Sequence, residues 1–353
     1  MSQAFVNKAA WVVAEKAHPM QVRDGPTPNP TENEVLIKVA YAAVNPTDYI
    51  MQSNPYFQME YPFIFGTDVA GTVVQVGSQV KQFQIGQRVI GHCDSLFTRK
   101  ATNAGFQHYS ACRQGLVSAI PDLVPLANAA VLPLAVDTAA GALFQKLALP
   151  LPSLDPKPIG KTILIWGASS SVGSCAVQLA VAAGLRVIAT AGASNLTYVK
   201  ELGASEVFDH RAESTLGQIK AILKPGDVVM DAISTGETQQ TCAIIVDHIG
   251  GGDLAIMRWP EAKFAAGVKV HFVNGLATGF TSEELGEWGP GATEIGKAIW
   301  HDYMPKALAS GKFVPKPDPR VLKGGLDRVQ EGVDLVKAGV SATKIVIEVS
   351  EQA

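Results

Sequence analysis

Hydrophobic and polar positions follow two different periods along this chain. In the first third, apolar side chains recur at every second position in AAWVVA, EVLIKVAYAAV (34–44), VAGTVVQVG (69–77) and QRVIGH (87–92), with Gly and Pro at the borders. A period of two carried by Val, Ile and Tyr predicts half-buried antiparallel strands, so this region reads as a small β-rich domain. From about residue 128 the texture changes, because NAAVLPLAVDTAAGALFQKLAL is rich in Ala and Leu and is followed by a loop holding Pro150, Pro152, Pro156 and Pro158. That pattern predicts helix and then a break. Between 162 and 273 the apolar runs TILIWGA, RVIATAG, EVFDH, VVMDAIS, DLAIM and VKVHFV alternate with helical stretches. Such alternation predicts a doubly wound parallel sheet covered on both faces. The tail FVPKPDP, GGLDRVQEGVDLVKAG and TKIVIEVS gives strand, helix and strand. These are too few elements for a third core, so the tail is expected to pack back onto one of the others.

Composition narrows the function classes. With 353 residues, 47% hydrophobic and 17% charged, and a formal net charge of −3, the chain has the make-up of a globular protein and lacks the basic footprint of a nucleic-acid binder. The first twenty residues hold Lys8, Glu15 and Lys16 and no long apolar run, which predicts a cytoplasmic protein without signal or transit peptide. Cys93, Cys112, Cys175 and Cys242 are scattered, fitting neither a disulfide framework nor a zinc ribbon. They are expected to be free and mostly buried.

Residues 162–184, TILIWGASSSVGSCAVQLAVAAG, carry no charged side chain. A bilayer span needs about 20 uninterrupted apolar residues, and here Gly167, three serines and Gly173 intervene. Strand, turn and Ala-rich helix instead match the first βα unit of a nucleotide-binding sheet, where backbone N–H groups meet a pyrophosphate. In place of G-x-G-x-x-G stands Gly167-x-x-Ser170-x-x-Gly173, with Ser169, Ser171 and Val172 between. A purely structural turn is the alternative. The next strand end, RVIATAGASN, has no carboxylate to accept from a ribose 2′-OH or to repel a 2′-phosphate. The site therefore leans to NADP(H), with Ser194 and Asn195 as donors or as caps of the following helix.

Four stretches resemble the medium-chain dehydrogenase/reductase superfamily in its zinc-free quinone oxidoreductase and enoyl reductase branch. They are VNPTDYIMQSNPYFQMEYPFIFGTDVAGTVVQVGSQVKQFQIGQRVIG (44–91), the serine loop, KELGASEVFDHR (200–211) and TKIVIE. The resemblance spans nearly the whole chain. It implies a GroES-like catalytic domain (1–127, completed by 310–353) and a Rossmann cofactor domain (128–309), with an active-site cleft at their junction. Gly66-Thr67-Asp68 stands where zinc alcohol dehydrogenases of the superfamily have glycine followed by His-Glu, so no metal site is expected. His92 and Cys93, as strand neighbours, are expected to point to opposite faces.

Without a metal, hydride addition from NADPH to a conjugated C=C or a quinone is the expected chemistry. The resemblance implies that Asn45 and Asp48 lie beside the nicotinamide ribose, Thr138 near the nicotinamide amide and Lys344 on the cofactor's other side. Tyr56 is the candidate proton donor, with packing in an aromatic cluster as its alternative. His210 and Arg211 stand where the family holds the adenosine phosphate-ribose, or else form a solvated strand end. His108 is assigned to a strand. Catalytic roles thus fall to Tyr56, Thr138 and Asn45. The substrate is a small molecule (enone, enoyl thioester or quinone), and the protein acts alone or in trans with a polyketide synthase, as a monomer or homodimer. A nucleotide-binding member without turnover is the competing account.

Overall fold

Val- and Ile-rich runs pair along the chain as the periodicity predicts, and the pairs gather into two units. The structure is a computed structural model that describes residues 5–55 and 58–350. One unit is Met1–Leu134 with Met304–Ala353, and the other is Ala135–Tyr303. In the first, β1 (Lys8–Val12) pairs antiparallel with β2 (Gln21–Asp24) and, beyond β3 (Glu34–Ala43) in sequence, with β4 (Phe63–Ile64). A larger sheet runs through β3, β5 (Asp68–Val76), β6 (Arg88–His92) and β8 (Val117–Ala119), with β7 (Tyr109–Arg113) also on β3. Val35, Ile37, Val39, Val69, Val73, Phe65 and Phe106 fill the core. The expectation of half-buried strands fails at β3, where Lys38 is the one exposed residue of ten. The core covers one face of β3, while the helix Leu126–Ala129 packs against β3 and β5.

The second unit is a parallel sheet of β9 (Thr162–Trp166), β10 (Arg186–Ala191), β11 (Glu206–Asp209), β12 (Val228–Asp231), β13 (Gly252–Ile256) and β14 (Val268–Phe272), in the order β11-β10-β9-β12-β13-β14. The chain winds outward from β9 to one edge, then returns to β12 and winds to the other. In open α/β sheets the crevice at such a reversal, outside the carboxyl ends of the strands, is where ligands bind. Gly167 follows β9 and Ile233 follows β12, so these two residues flank it.

The tail returns to the first unit. Strand β15 (Pro319–Leu322) lies parallel to β16 (Lys344–Glu348), and β16 pairs antiparallel with the end of β3. The changeovers fall after Leu134 and after Tyr303 rather than after residues 127 and 309. Both lie inside helical runs, and composition within a helix carries no mark of where its packing partner changes. The run Leu126–Lys146 is long and apolar enough to span a bilayer, with mean hydropathy 1.5, but 83% of its most apolar 18-residue window is buried in the protein, as a core helix would be.

Candidate active site

In the first unit a buried polar cluster gathers around the turn that starts the helix Pro46–Ser53. The Asp48 carboxylate accepts from the Asn45 N–H (2.7 Å) and the Gly66 N–H (3.1 Å). The Asn45 amide donates to Thr67 Oγ1 (2.9 Å) and Asp68 Oδ2 (2.7 Å), and its Oδ1 accepts from Lys344 Nζ. Lys344 also pairs with Asp68 Oδ2 at 3.1 Å, while Asp68 Oδ1 accepts from the Leu134 N–H at 2.7 Å. Asn45, Asp48, Thr67, Asp68 and Lys344 are all buried. Two carboxylates share one ammonium here. Burial, reinforced by Asp68, pushes the Asp48 carboxyl up to about 7 against the pull of the Asn45 N–H and Lys344.

The side-chain polar atoms of Asn45, Asp48 and Lys344 are engaged with one another and with Thr67, Asp68 and the Gly66 N–H, so these groups hold the turn. The cluster fails as a zinc site. Both Asp68 oxygens already accept hydrogen bonds, and an ammonium stands where a cation would have to bind. Cys93 lies 3.6 Å from Cys112 Sγ and 3.3 Å from Ser110 Oγ, and burial pushes its thiol well up. Among the described residues no three His, Cys, Asp or Glu side chains converge. All four cysteines are free and buried, as expected.

In the second unit the serine loop forms the turn between β9 and the helix Ser171–Ala182. Gly167 adopts φ +78°, which a glycine tolerates, and its N–H donates to Thr190 Oγ1 at 3.0 Å. A Cβ on Gly173 would come within 2.5 Å of the Gly167 carbonyl oxygen, so helix and strand approach as closely as a dinucleotide fold requires. Ser170 caps the helix: its Oγ accepts from the Gly173 N–H (3.1 Å) and donates to the Gly167 carbonyl (2.8 Å). That hydroxyl is engaged within the loop. The N–H groups of Ser171 and Val172, in the first turn, have no intrahelical acceptor and carry the positive end of the helix dipole. These residues fit a pyrophosphate.

At the carboxyl ends of β10 and β11, Ser194, His210 and Arg211 are exposed and Asn195 is half-buried. A Cβ on Gly192 would lie 3.9 Å from His210 Nε2, so the imidazole sits beside that turn. Asn195 holds the N-cap position of the next helix. A cation, an imidazole and a hydroxyl with no carboxylate on the turn after β10 suit a ribose 2′-phosphate.

Thr138 lies in the helix Pro133–Ala140 and is buried. Two features beside it were not revealed by the sequence. Neighbouring Asp137 accepts from Thr278 Oγ1, both fully buried, and a Cβ on Gly275 would stand 2.7 Å from Thr138 Oγ1. Gly275, Thr278 and the Asp68 pairing are the residues that sequence reading missed. Only Asp68 left a signal, as an acid kept in GTD where the expected histidine is gone. Tyr56 lies outside the described residues.

Residues 31–122 match the alcohol dehydrogenase GroES-like domain and residues 171–268 the zinc-binding dehydrogenase family. The chain is 57% identical over 347 residues to the trans-enoyl reductase himH of Aspergillus japonicus, covering 98% of each. It is 36% identical to the dehydrogenase orsE of Emericella nidulans, covering 97% of this chain and 99% of that one. This chain belongs to the medium-chain dehydrogenase/reductase superfamily. Among solved structures, an alcohol dehydrogenase superfamily protein from Novosphingobium aromaticivorans superposes with a TM-score of 0.79 at 26% identity, covering 98% and 100%. The CurK enoyl reductase shares the fold, with a TM-score of 0.73 at 21% identity over 97% and 99% of the chains. In this medium-chain dehydrogenase/reductase the zinc-binding family name meets a donor set that an internal ammonium already neutralises.

Proposed function

We propose that the protein is an NADPH-dependent, zinc-independent reductase of a conjugated carbon–carbon double bond in an acyl thioester, presented in trans by a polyketide synthase. The observation that carries this reading is the 57% identity, over 98% of both chains, to a trans-enoyl reductase. NADPH, when bound, supplies a hydride. The backbone N–H groups of Ser171 and Val172, with Gly167, Ser169 and Gly173 shaping the loop, hold its pyrophosphate. Ser194, Asn195, His210 and Arg211 take the 2′-phosphate, and Thr138 orients the nicotinamide end. Asn45, Asp48, Asp68 and Lys344 act as positioning residues that fix the backbone at the Asn45 and Gly66 turns. A conjugated thioester spreads the incoming charge onto its carbonyl oxygen, so hydrogen-bond donors suffice in place of a Lewis acid. The proton at the α-carbon comes from Tyr56 or from solvent.

The test is NADPH oxidation with a medium-chain enoyl thioester, with small quinones as competing acceptors, with and without a metal chelator. Chelator-insensitive turnover of the thioester is expected, faster with NADPH than with NADH. Loss of activity on chelation, or a preference for NADH, defeats the reading.

A further inference from the structure

Trp259 is 58% exposed although it stands three residues past the end of β13. Its indole stacks on Phe272, the last residue of β14, with ring centroids 4.4 Å apart and an interplanar angle of 9°. The loop beneath is held in place. Fully buried Gln239 donates to the Trp259 carbonyl (3.0 Å) and to the Ser234 carbonyl (3.2 Å), and accepts from the N–H groups of Glu261 (2.8 Å) and Ala262 (3.2 Å). A buried amide that satisfies four backbone groups keeps the aromatic face in one orientation. Two parallel rings on a fixed backbone, the outer one largely open, offer a flat apolar face on which a planar ligand can stack.

Position narrows the occupant. Ligands enter at the carboxyl ends of these strands. The exposed Ser194, His210 and Arg211 lie at the β10 and β11 ends, so the adenosine half belongs there, and the β13 and β14 ends are left to the nicotinamide half and what reacts with it. From Phe272 the chain needs three residues, about 10 Å at most, to reach Gly275, which abuts Thr138. A saturated chain would gain only buried area from two parallel rings, whereas a flat conjugated chain also gains stacking.

We infer that Trp259, backed by Phe272, is the stacking platform for the conjugated portion of the acyl chain and sets the preference for extended polyenoyl substrates. The inference rests on the enoyl reductase reading. Its test uses the full-length protein and the variants Trp259→Ala and Trp259→Phe, with crotonyl and octatrienoyl N-acetylcysteamine thioesters. Trp259→Ala should raise KM for the octatrienoyl thioester about three- to tenfold, leave the crotonyl KM and NADPH affinity unchanged, and be largely rescued by Trp259→Phe. An equal effect on both thioesters, weakened NADPH binding, or a change in sedimentation that makes the patch a contact between copies overturns it. Calorimetric binding of the octatrienoyl thioester separates the two readings. Trp259-dependent binding without reduction of any enoyl thioester refutes the reductase and keeps the platform; reduction indifferent to Trp259→Ala does the reverse.

Discussion

Asp48 holds a proton that the unfolded chain would release, because burial raises its carboxyl from 3.8 to about 7. The folded-state value lies above the unfolded one, so the stability Asp48 contributes is complete below about pH 4 and is lost as pH rises towards about 7. Asp48→Asn keeps an acceptor and cannot ionise. Its urea midpoint should gain on the wild type as pH rises from about 5 to about 8, and a pH-independent difference would contradict the assignment. Lys344→Met strands Asp68 with no countercharge and should cost about 3–5 kcal/mol in urea unfolding; a loss below about 1 kcal/mol would mean that the cluster is not held by that ammonium. Asn45, Asp48 and Lys344 were legible because short motifs contain them. Their inward roles were not, since the partner of Asn45 Oδ1 lies 299 positions away and no local pattern encodes such a pairing.

Among the elements, the helix behind the serine loop and the loop after β14 make separable predictions. Ser170→Ala removes the cap on the Gly173 N–H and should lower stability by about 1 kcal/mol, read from thermal unfolding. Gly275 has no positive φ, so an alanine there meets no backbone strain, only Thr138 Oγ1 at 2.7 Å. Gly275→Ala should therefore stay folded yet lose roughly tenfold in kcat/KM, about 1.4 kcal/mol of transition-state stabilisation. Unchanged kinetics would show that Thr138 needs no fixed place. The serine loop was readable from its strand, turn and helix order. The burial of β3 on both faces was not, since a strand covered twice and a strand covered once can carry the same Val and Ile.

For the whole molecule, cofactor binding reports on the sheet's two halves together. A ligand at 100 times its Kd stabilises by about 2.7 kcal/mol, so NADPH should raise the unfolding temperature well above what the same concentration of NADH achieves. Arg211→Ala should narrow that gap, given that Arg211 is exposed just past the end of β11. Equal shifts from both cofactors would remove the 2′-phosphate assignment. The two-core plan and the return of the tail followed from counting elements, whereas the changeovers at 134 and 303 depend on which core a helix face meets, a property of the assembled protein.

Strand β16 delivers Lys344 to partners at positions 45 and 68, and this fixes an order of events during synthesis. The unit spanning 135–303 is continuous and is free to fold while translation proceeds, but the earlier unit must wait for residue 344 to leave the ribosome before Asp68 is neutralised. A nonsense codon in the final stretch would release a chain with a finished parallel sheet tethered to a first unit that lacks its closing strand, and proteolytic quality control would meet that species half folded.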